Sequence, residues 1–150
     1  MFFVSSQSES ELMANFKLYK SEKLCSKIEI ERLYAQGTSL IAYPLRAVYL
    51  AVPAGDTSHP VAARFLISIP KKRIRHAVGR VLLRRRTREA YRLNRDLLTP
   101  VIEQGKTVLI GFNWVANDKR NYATIERSMR ELLSKIARTV QSGEYRVESL

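Results

Sequence analysis

The sequence predicts an α+β fold in which helices pack on a small β-sheet. The chain has 150 residues, and 45% of them are apolar, which suits a single domain with a substantial core. Its elements are predicted in the order helix, strands, basic helix, strand, helix, and such an order is typical of helices packed on a sheet. We expect a disordered tail over residues 1–15, one domain over residues 16–140, and a second tail over residues 141–150.

The first helix is predicted from about Ser26 to Gln36. Ser26 is a suitable N-cap, and Glu29 follows it at the spacing of a capping box. Residues at i, i+3 and i+4 share one face of this helix, and they are Ile30, Leu33 and Tyr34. We expect Gly37 to end the helix by adopting a positive φ.

Two strands are predicted at residues 45–52 and 64–69, which are rich in branched and aromatic side chains. The segment from Pro53 to Pro60 between them has the composition of a turn or loop. We therefore expect these two strands to form a hairpin. Leu40–Ala42 is a candidate for a short strand before them.

Two more elements are predicted near the end of the chain. Thr107–Phe112 is short, apolar and strand-like, and Trp114 after it is expected to pack in the core. The last helix is predicted from about Asn121 to Val140. Its apolar stripe consists of Ile125, Met129, Leu132, Leu133 and Ile136.

The charge balance points to an anionic partner. The chain has 26 Lys and Arg against 14 Asp and Glu, a formal charge of +12, and such an excess is self-repulsive unless an anion is bound. Nucleic acid is the first candidate and an anionic membrane surface the second. A single cysteine excludes an internal disulfide framework and a Cys-based zinc site. The start of the chain lacks the pattern of a signal peptide, so we expect a cytoplasmic protein that does not enter a membrane.

A long basic helix is predicted from about Arg75 to Leu98, with Thr99-Pro100 ending it. Between Lys71 and Arg95, eleven basic residues accompany one acidic residue, Glu89. At about 100° per residue, five arginines fall within an arc of roughly 120°, namely Arg80, Arg84, Arg88, Arg92 and Arg95. Arg85 extends the edge of this arc.

The other side of the basic helix is expected to pack on the sheet through Val78, Leu82, Ala90, Leu93 and Leu97. Like charges at i and i+4 destabilise an isolated helix, and bound phosphates would offset this repulsion. Arginine also binds phosphate with two parallel hydrogen bonds and stacks on bases. The pattern therefore predicts nucleic-acid binding.

A strand ending in Ser68-Ile69-Pro70-Lys71-Lys72 leads into the basic helix, which carries Arg84-Arg85-Arg86-Thr87-Arg88-Glu89. Upstream, the first helix closes with Leu33-Tyr34-Ala35-Gln36-Gly37. In their order and spacing, these segments resemble the protein subunit of bacterial ribonuclease P. The resemblance covers about residues 16 to 138.

The resemblance implies a small mixed sheet sandwiched with helices in the order α-β-β-β-α-β-α. It also implies a left-handed βαβ crossover at the basic helix, as in the ribosomal protein S5 domain 2-like fold. The partners it implies are a catalytic RNA and the 5′ leader of precursor tRNA, with no obligate protein partner. The RNA subunit would cleave the leader with Mg²⁺, which the RNA and substrate mainly hold.

The resemblance also assigns roles to individual residues. It implies RNA contacts at Arg80, Arg84, Arg85 and Arg88, and at Lys71 and Lys72 at the basic end of the strand. Arg75 and Arg92, which belong to the same run of basic residues, are further RNA-binding candidates. The positions implied for the leader cleft are Tyr34, Ile30, where some members of the family have Phe, and Val81. Tyr49 is added to the cleft and Phe65 is a further candidate for stacking, because single-stranded RNA is commonly held by aromatic side chains. Carboxylates are scattered and the two histidines, His59 and His76, are far apart, so we expect no catalytic and no metal-binding residue in this chain.

One departure from the family pattern leaves an alternative open. Where the family has Arg-Asn-Arg, this chain has Arg80-Val81-Leu82, so an apolar side chain interrupts the basic arc. The alternative is an RNA- or ribosome-binding protein of the same fold that lost the holoenzyme role. A DNA-binding module is a third possibility, although few Asn or Gln residues are present on the helix to read bases.

Overall fold

The computed structural model describes residues 18, 20–54 and 61–142. The predicted tail over residues 1–15 and His59 lie outside these residues. The strands are β1 (Thr38–Ala42), β2 (Leu45–Pro53), β3 (Ala63–Ser68) and β4 (Lys106–Trp114). The helices are α1 (Lys27–Gln36), α2 (Ala77–Asn94), α3 (Thr99–Glu103) and α4 (Tyr122–Ser142), with 3-10 turns at Lys20–Glu22 and Arg95–Leu98.

The four strands form one mixed sheet in the order β1-β2-β4-β3. β2 pairs antiparallel with β1 and β4, whereas β3 pairs parallel with β4. The prediction of a hairpin between β2 and β3 is therefore wrong, because β4 lies between them. The hairpin partner of β2 is β1, and the parallel pair β3–β4 is connected through α2, so the basic helix does form a crossover.

The two faces of the sheet have different coverings. On one face, alternate strand residues such as Ala47, Tyr49, Ile110 and Phe112 join the main core with α2 and α4. On the other face, Val48, Leu50 and Leu109 form a smaller cluster with Leu33 of α1. The predicted stripe of α4 is fully buried, and so is Trp114, which confirms both predictions.

Helix α1 begins as predicted, with Ser26 as its N-cap and Ser26 Oγ accepting a hydrogen bond from Glu29 N at 3.4 Å. The prediction of a positive φ at Gly37 is wrong, because its φ is −71°. Glycine is needed there for space: a Cβ at Gly37 would lie 2.7 Å from Val48 Cγ1 and closer still to the carbonyl oxygen of Leu33.

Helix α2 buries a different side from the predicted one. Its buried residues are Gly79, Leu83, Thr87, Ala90 and Tyr91, of which only Ala90 was predicted. Val78 is 81% exposed and Leu93 is also exposed, while Leu97 packs against the core from the following turn. A Cβ at Gly79 would lie 2.9 Å from Ile74 Cγ2, so glycine leaves room there for the loop before the helix. The buried Thr87 hydroxyl donates to Leu83 O at 2.8 Å.

The ends of two helices differ from the predictions. Pro100 does not terminate the chain's helical path, because it lies in the first turn of α3, where a missing N–H does no harm. Helix α4 includes Gln141 and Ser142, which were assigned to the C-terminal tail. Within the described residues, no helix combines the length and apolar character that crossing a membrane requires.

Candidate nucleic-acid interface

The exposed side of α2 presents arginines without protein partners. Among the described residues, Arg84, Arg85 and Arg88 have no hydrogen bond or ion pair, and all three are at least partly exposed. The predicted arc therefore leaves these three guanidinium groups free to bind an anion.

Arg80 and Arg92 belong to the same arc but are engaged within the protein. Arg80 Nη1 donates to Ile74 O at 2.9 Å and to Arg75 O at 2.8 Å, so it ties the loop before α2 to the helix. Arg92 pairs with Glu89, with Nε donating to Oε2 at 3.1 Å. The hydrogen bond from Arg92 holds the pKa of Glu89 below its ordinary value.

The remaining predicted RNA-binding residues lie in the loop between β3 and α2. Lys71, Lys72 and Arg75 are exposed there. Arg73 Nη1 donates to Asn117 Oδ1 at 3.0 Å, which fastens the loop to the segment after β4. The loop thus extends the basic surface of α2 at the helix N-terminus.

Val81 interrupts this basic surface, as the helical count predicts. It is 53% exposed, and it lies on the side of α2 that carries Arg84, Arg85 and Arg88. Leu82 is partly buried. Val81 is therefore an apolar point within the basic surface and not a core residue.

Tyr34 projects from α1 onto the face of the sheet that lies opposite α2 and α4. Its hydroxyl donates to Asn113 Oδ1 at 3.0 Å. Its ring crosses β4 at Gly111, where a Cβ would lie 3.0 Å from Tyr34 Cζ. Tyr34 is 43% exposed as a residue, so the side of the ring that does not rest on the sheet is accessible.

A cation accompanies this tyrosine. Arg46 is the register partner of Asn113, and its Nε donates to Ser39 Oγ at 2.8 Å. Burial raises the pKa of Tyr34, while the hydrogen bond to Asn113 and the positive charge of Arg46 lower it. We call Tyr34, Arg46 and Asn113 the tyrosine groove.

The other residues predicted for the leader cleft have different positions. Ile30 is half-buried and packs against the smaller cluster. Tyr49 is 3% exposed in the main core on the opposite face of the sheet, so its assignment to the cleft is wrong. Phe65 is also buried, and its ring lies tilted against that of Tyr91 with centroids 4.2 Å apart. Val81 belongs to the surface of α2.

Sequence reasoning missed Arg46, Asn113 and Arg64. Arg64 Nη1 donates to both carboxylate oxygens of Glu29 at 3.2 Å, which links β3 to α1. The period-two alternation of the strands could have identified the face of Arg46, because Ala47 and Tyr49 on the other side are core residues. Asn113 could not be found in this way until its pairing with β2 was known.

The described residues do not form a metal-binding cluster. No three His, Cys, Asp or Glu side chains come together within residues 18, 20–54 and 61–142.

Comparisons with known proteins agree on one family. A family model described as Ribonuclease P matches residues 18–137. The ribonuclease P protein component of Porphyromonas gingivalis is 37% identical over 136 residues, which cover 90% of this chain and 97% of that protein. The corresponding protein of Chlorobaculum tepidum is 29% identical over 138 residues, covering 85% and 90%.

A solved structure supports the fold. A mutant of the Staphylococcus aureus RNase P protein superimposes with a TM-score of 0.56 at 21% identity, covering 89% of this chain and 98% of that one. This likeness, together with the mixed sheet and its helices, confirms the predicted α+β fold. With the family model and the relatives spanning most of its length, the chain belongs to the ribonuclease P protein family.

Proposed function

We propose that this chain binds the catalytic RNA of ribonuclease P and the 5′ leader of precursor tRNA, and that it thereby assists removal of the leader. The observation that carries the proposal is the set of unpaired arginines on α2, Arg84, Arg85 and Arg88. A single-sign surface of this kind needs a polyanion to relieve its self-repulsion.

The basic surface suits an RNA backbone. Arginine matches the geometry of phosphate with two parallel hydrogen bonds, and the three free guanidinium groups follow each other along one side of α2. Lys71, Lys72 and Arg75 continue the positive surface beyond the helix N-terminus. We assign the anchoring of the RNA subunit to this combined surface.

The tyrosine groove suits a single-stranded leader. Unpaired RNA is commonly held by aromatic rings on which bases stack, with cations nearby for the phosphates. Tyr34 offers one open ring face, and Arg46 beside it supplies the cation. The hydrogen bond to Asn113 holds the ring in place before a base arrives, which reduces the entropy lost on binding.

The chemistry of cleavage is assigned to the RNA. We propose that the RNA and the substrate hold the Mg²⁺ that supports hydrolysis of the phosphodiester, as the family resemblance implies. The role left to this chain is to bind, to orient the leader, and to neutralise phosphate charge. In the cell it would do so wherever precursor tRNA is made, which for a bacterial protein is the cytoplasm.

The proposal is tested by cleavage of a 5′-labelled precursor tRNA by the cognate RNA at limiting Mg²⁺, with and without this protein. We expect the protein alone to be inactive and to stimulate the RNA strongly. Binding to the RNA without stimulation would contradict the holoenzyme role.

The exposed Val81 favours one second candidate, an RNA-binding protein that no longer serves the holoenzyme. The double substitution Val81→Asn and Leu82→Arg restores the family pattern and separates the two. Under our proposal the wild type stimulates cleavage about as well as the double variant. Under the second candidate, only the double variant stimulates it.

A further inference from the structure

A cavity of about 620 Å³ lies between the 3-10 turn Lys20–Glu22, the edge of β3 and helix α2. Its volume falls within the range of about 300–1,000 Å³ that is usual for small-ligand sites. No residue of the tyrosine groove lines it. The cavity is therefore distinct from the tyrosine groove, although Arg84 and Arg88 of the basic surface line part of it.

The rim of the cavity is cationic. Lys20 and Lys23 lie on one side, and Arg84 and Arg88 lie on the other. Among the described residues, none of these four side chains has a hydrogen bond or an ion pair. The lining carboxylate, Glu22, is engaged by Arg95 with Nη1 and Oε2 2.5 Å apart, so the rim favours an anion.

The rest of the cavity lining is apolar. It consists of residues of β3 and of the N-terminal segment, namely Leu18, Leu24, Phe65, Leu66 and Ile67. An inorganic anion would satisfy the rim and leave this lining exposed to water. A nucleotide satisfies both, because its phosphate is anionic and its base has an apolar face.

The N-terminal wall of the cavity is fixed at two points. Leu24 N donates to Phe65 O at 3.0 Å, beside a parallel bridge between Lys23 and Phe65. The pair Glu22–Arg95 joins the same wall to the turn after α2, and its side chains are only 5% and 17% exposed. The two lysines are thus held opposite the two arginines before any ligand binds.

We propose that this cavity receives one unpaired nucleotide of an RNA strand, with its phosphate between the lysines and arginines and its base on the apolar lining. The inference deepens the proposed function, since it rests on RNA binding by α2, and adds Lys20 and Lys23 to the residues that contact the RNA. Both lysines are exposed, so they can be replaced without disturbing the core.

The test is an NMR titration of the ¹⁵N-labelled full chain with adenosine 5′-monophosphate, with a short single-stranded oligoadenylate, and with inorganic phosphate. We expect saturable shifts at Lys23, Leu66, Ile67, Arg84 and Arg88 with both nucleotides, tighter binding of the oligonucleotide, and weak binding of phosphate. The double variant Lys20→Ala and Lys23→Ala should weaken nucleotide binding about tenfold or more, because it removes two charge-assisted contacts.

The double variant Lys135→Ala and Arg138→Ala is the matched control, because it removes two exposed charges from α4, which contributes nothing to the cavity lining. Equal effects of the two double variants, or equal binding of phosphate and nucleotide, would overturn the inference. Tight binding of the monophosphate with no gain for the oligonucleotide would assign the site to a free nucleotide and also overturn it.

The cleavage assay keeps this inference distinct from the proposed function. Strong stimulation by the wild type with no nucleotide binding at the cavity would refute the inference alone. Nucleotide binding at the cavity without stimulation would refute the holoenzyme role alone.

Discussion

The hydroxyl group of Tyr34 occupies the space into which a side chain at Gly111 would project. Helix α1 therefore contacts the central strand β4 through the ring of Tyr34, which packs directly on the backbone of Gly111. This contact orients the open face of the ring in the tyrosine groove.

Gly111→Ala should displace the ring, because the new methyl group meets the tip of a half-exposed side chain that can swing away. Loss of the hydrogen bond to Asn113 should reduce the free energy of unfolding by about 1 kcal/mol. The Kd of the holoenzyme for leader-bearing precursor tRNA should rise about tenfold, as expected when one stacked base is lost. Tyr34→Ala should have the same effect, and unchanged leader binding in both variants would exclude the groove as the leader site.

Gly37→Ala should behave differently, although Gly37 also has an ordinary φ. Its Cβ would meet the backbone carbonyl of Leu33 and Val48, which cannot swing away. We expect a loss of about 2 kcal/mol of stability from overpacking, measured by urea unfolding, with normal leader binding by the folded protein. A loss as small as that of Gly111→Ala would show that α1 shifts easily on the sheet.

Glu22→Gln should be strongly destabilising. It leaves Arg95 largely buried beside a neutral partner, and breaking a buried pair in this way removes about 3 kcal/mol. Glu131→Gln is the control, because its pair with Lys135 is exposed on α4 and should be worth less than about 0.5 kcal/mol. Urea unfolding measures both, and equal losses would contradict a structural role for the Glu22–Arg95 pair.

Replacement of the free arginines should change the salt dependence of RNA binding. Each phosphate contact contributes a slope of about 0.9 or less in log K against log salt. Arg85→Ala and Arg88→Ala should each reduce the slope by nearly that amount, whereas Arg138→Ala on α4 should leave it unchanged. Filter binding to the cognate RNA over a series of salt concentrations gives the slopes, and three equal slopes would refute the assignment of α2.

The stability of the protein should fall in alkaline solution. Burial, followed by the charge of Glu22, raises the pKa of Tyr91 above its ordinary value of 10.0. Above pH 10 the unfolded chain loses this proton while the native state retains it, so stability is full below pH 10 and falls as the pH rises. Tyr91→Phe should make the free energy of unfolding less dependent on pH above pH 10. Urea unfolding at several pH values measures this dependence, and the same dependence in the variant and the wild type would contradict the prediction.

The sequence predicted the elements better than their arrangement. The stripe of α4 is correct because Ile125, Met129 and Leu132 are large and apolar, so periodicity alone identifies their face. The buried side of α2 carries Leu83 and Tyr91 but also Gly79 and Thr87, which hydrophobic periodicity does not register. The apolar side was therefore predicted at Val78, Leu82 and Leu93 instead. The hairpin prediction failed because nothing local in β2 or β3 indicates that β4 separates them.

The same limit applies to the site. The sequence predicted that Arg84, Arg85 and Arg88 lie on one side of α2, because the periodicity of a helix fixes which side chains lie together. The tyrosine groove needed the register of β2 with β4, since only this pairing places Arg46 beside Asn113. Tyr49 was misassigned because one residue along a strand changes the face of the sheet.

The strand order β1-β2-β4-β3 also bears on how the protein is made. β3 leaves the ribosome well before its neighbour β4, and α2 packs on a sheet that is incomplete until then. A nascent chain that ends before β4 can form the β1–β2 hairpin, but it has no assembled surface on which to dock its arginine-rich helix. The RNA binding that we propose for this surface therefore has to wait until most of the chain has been translated.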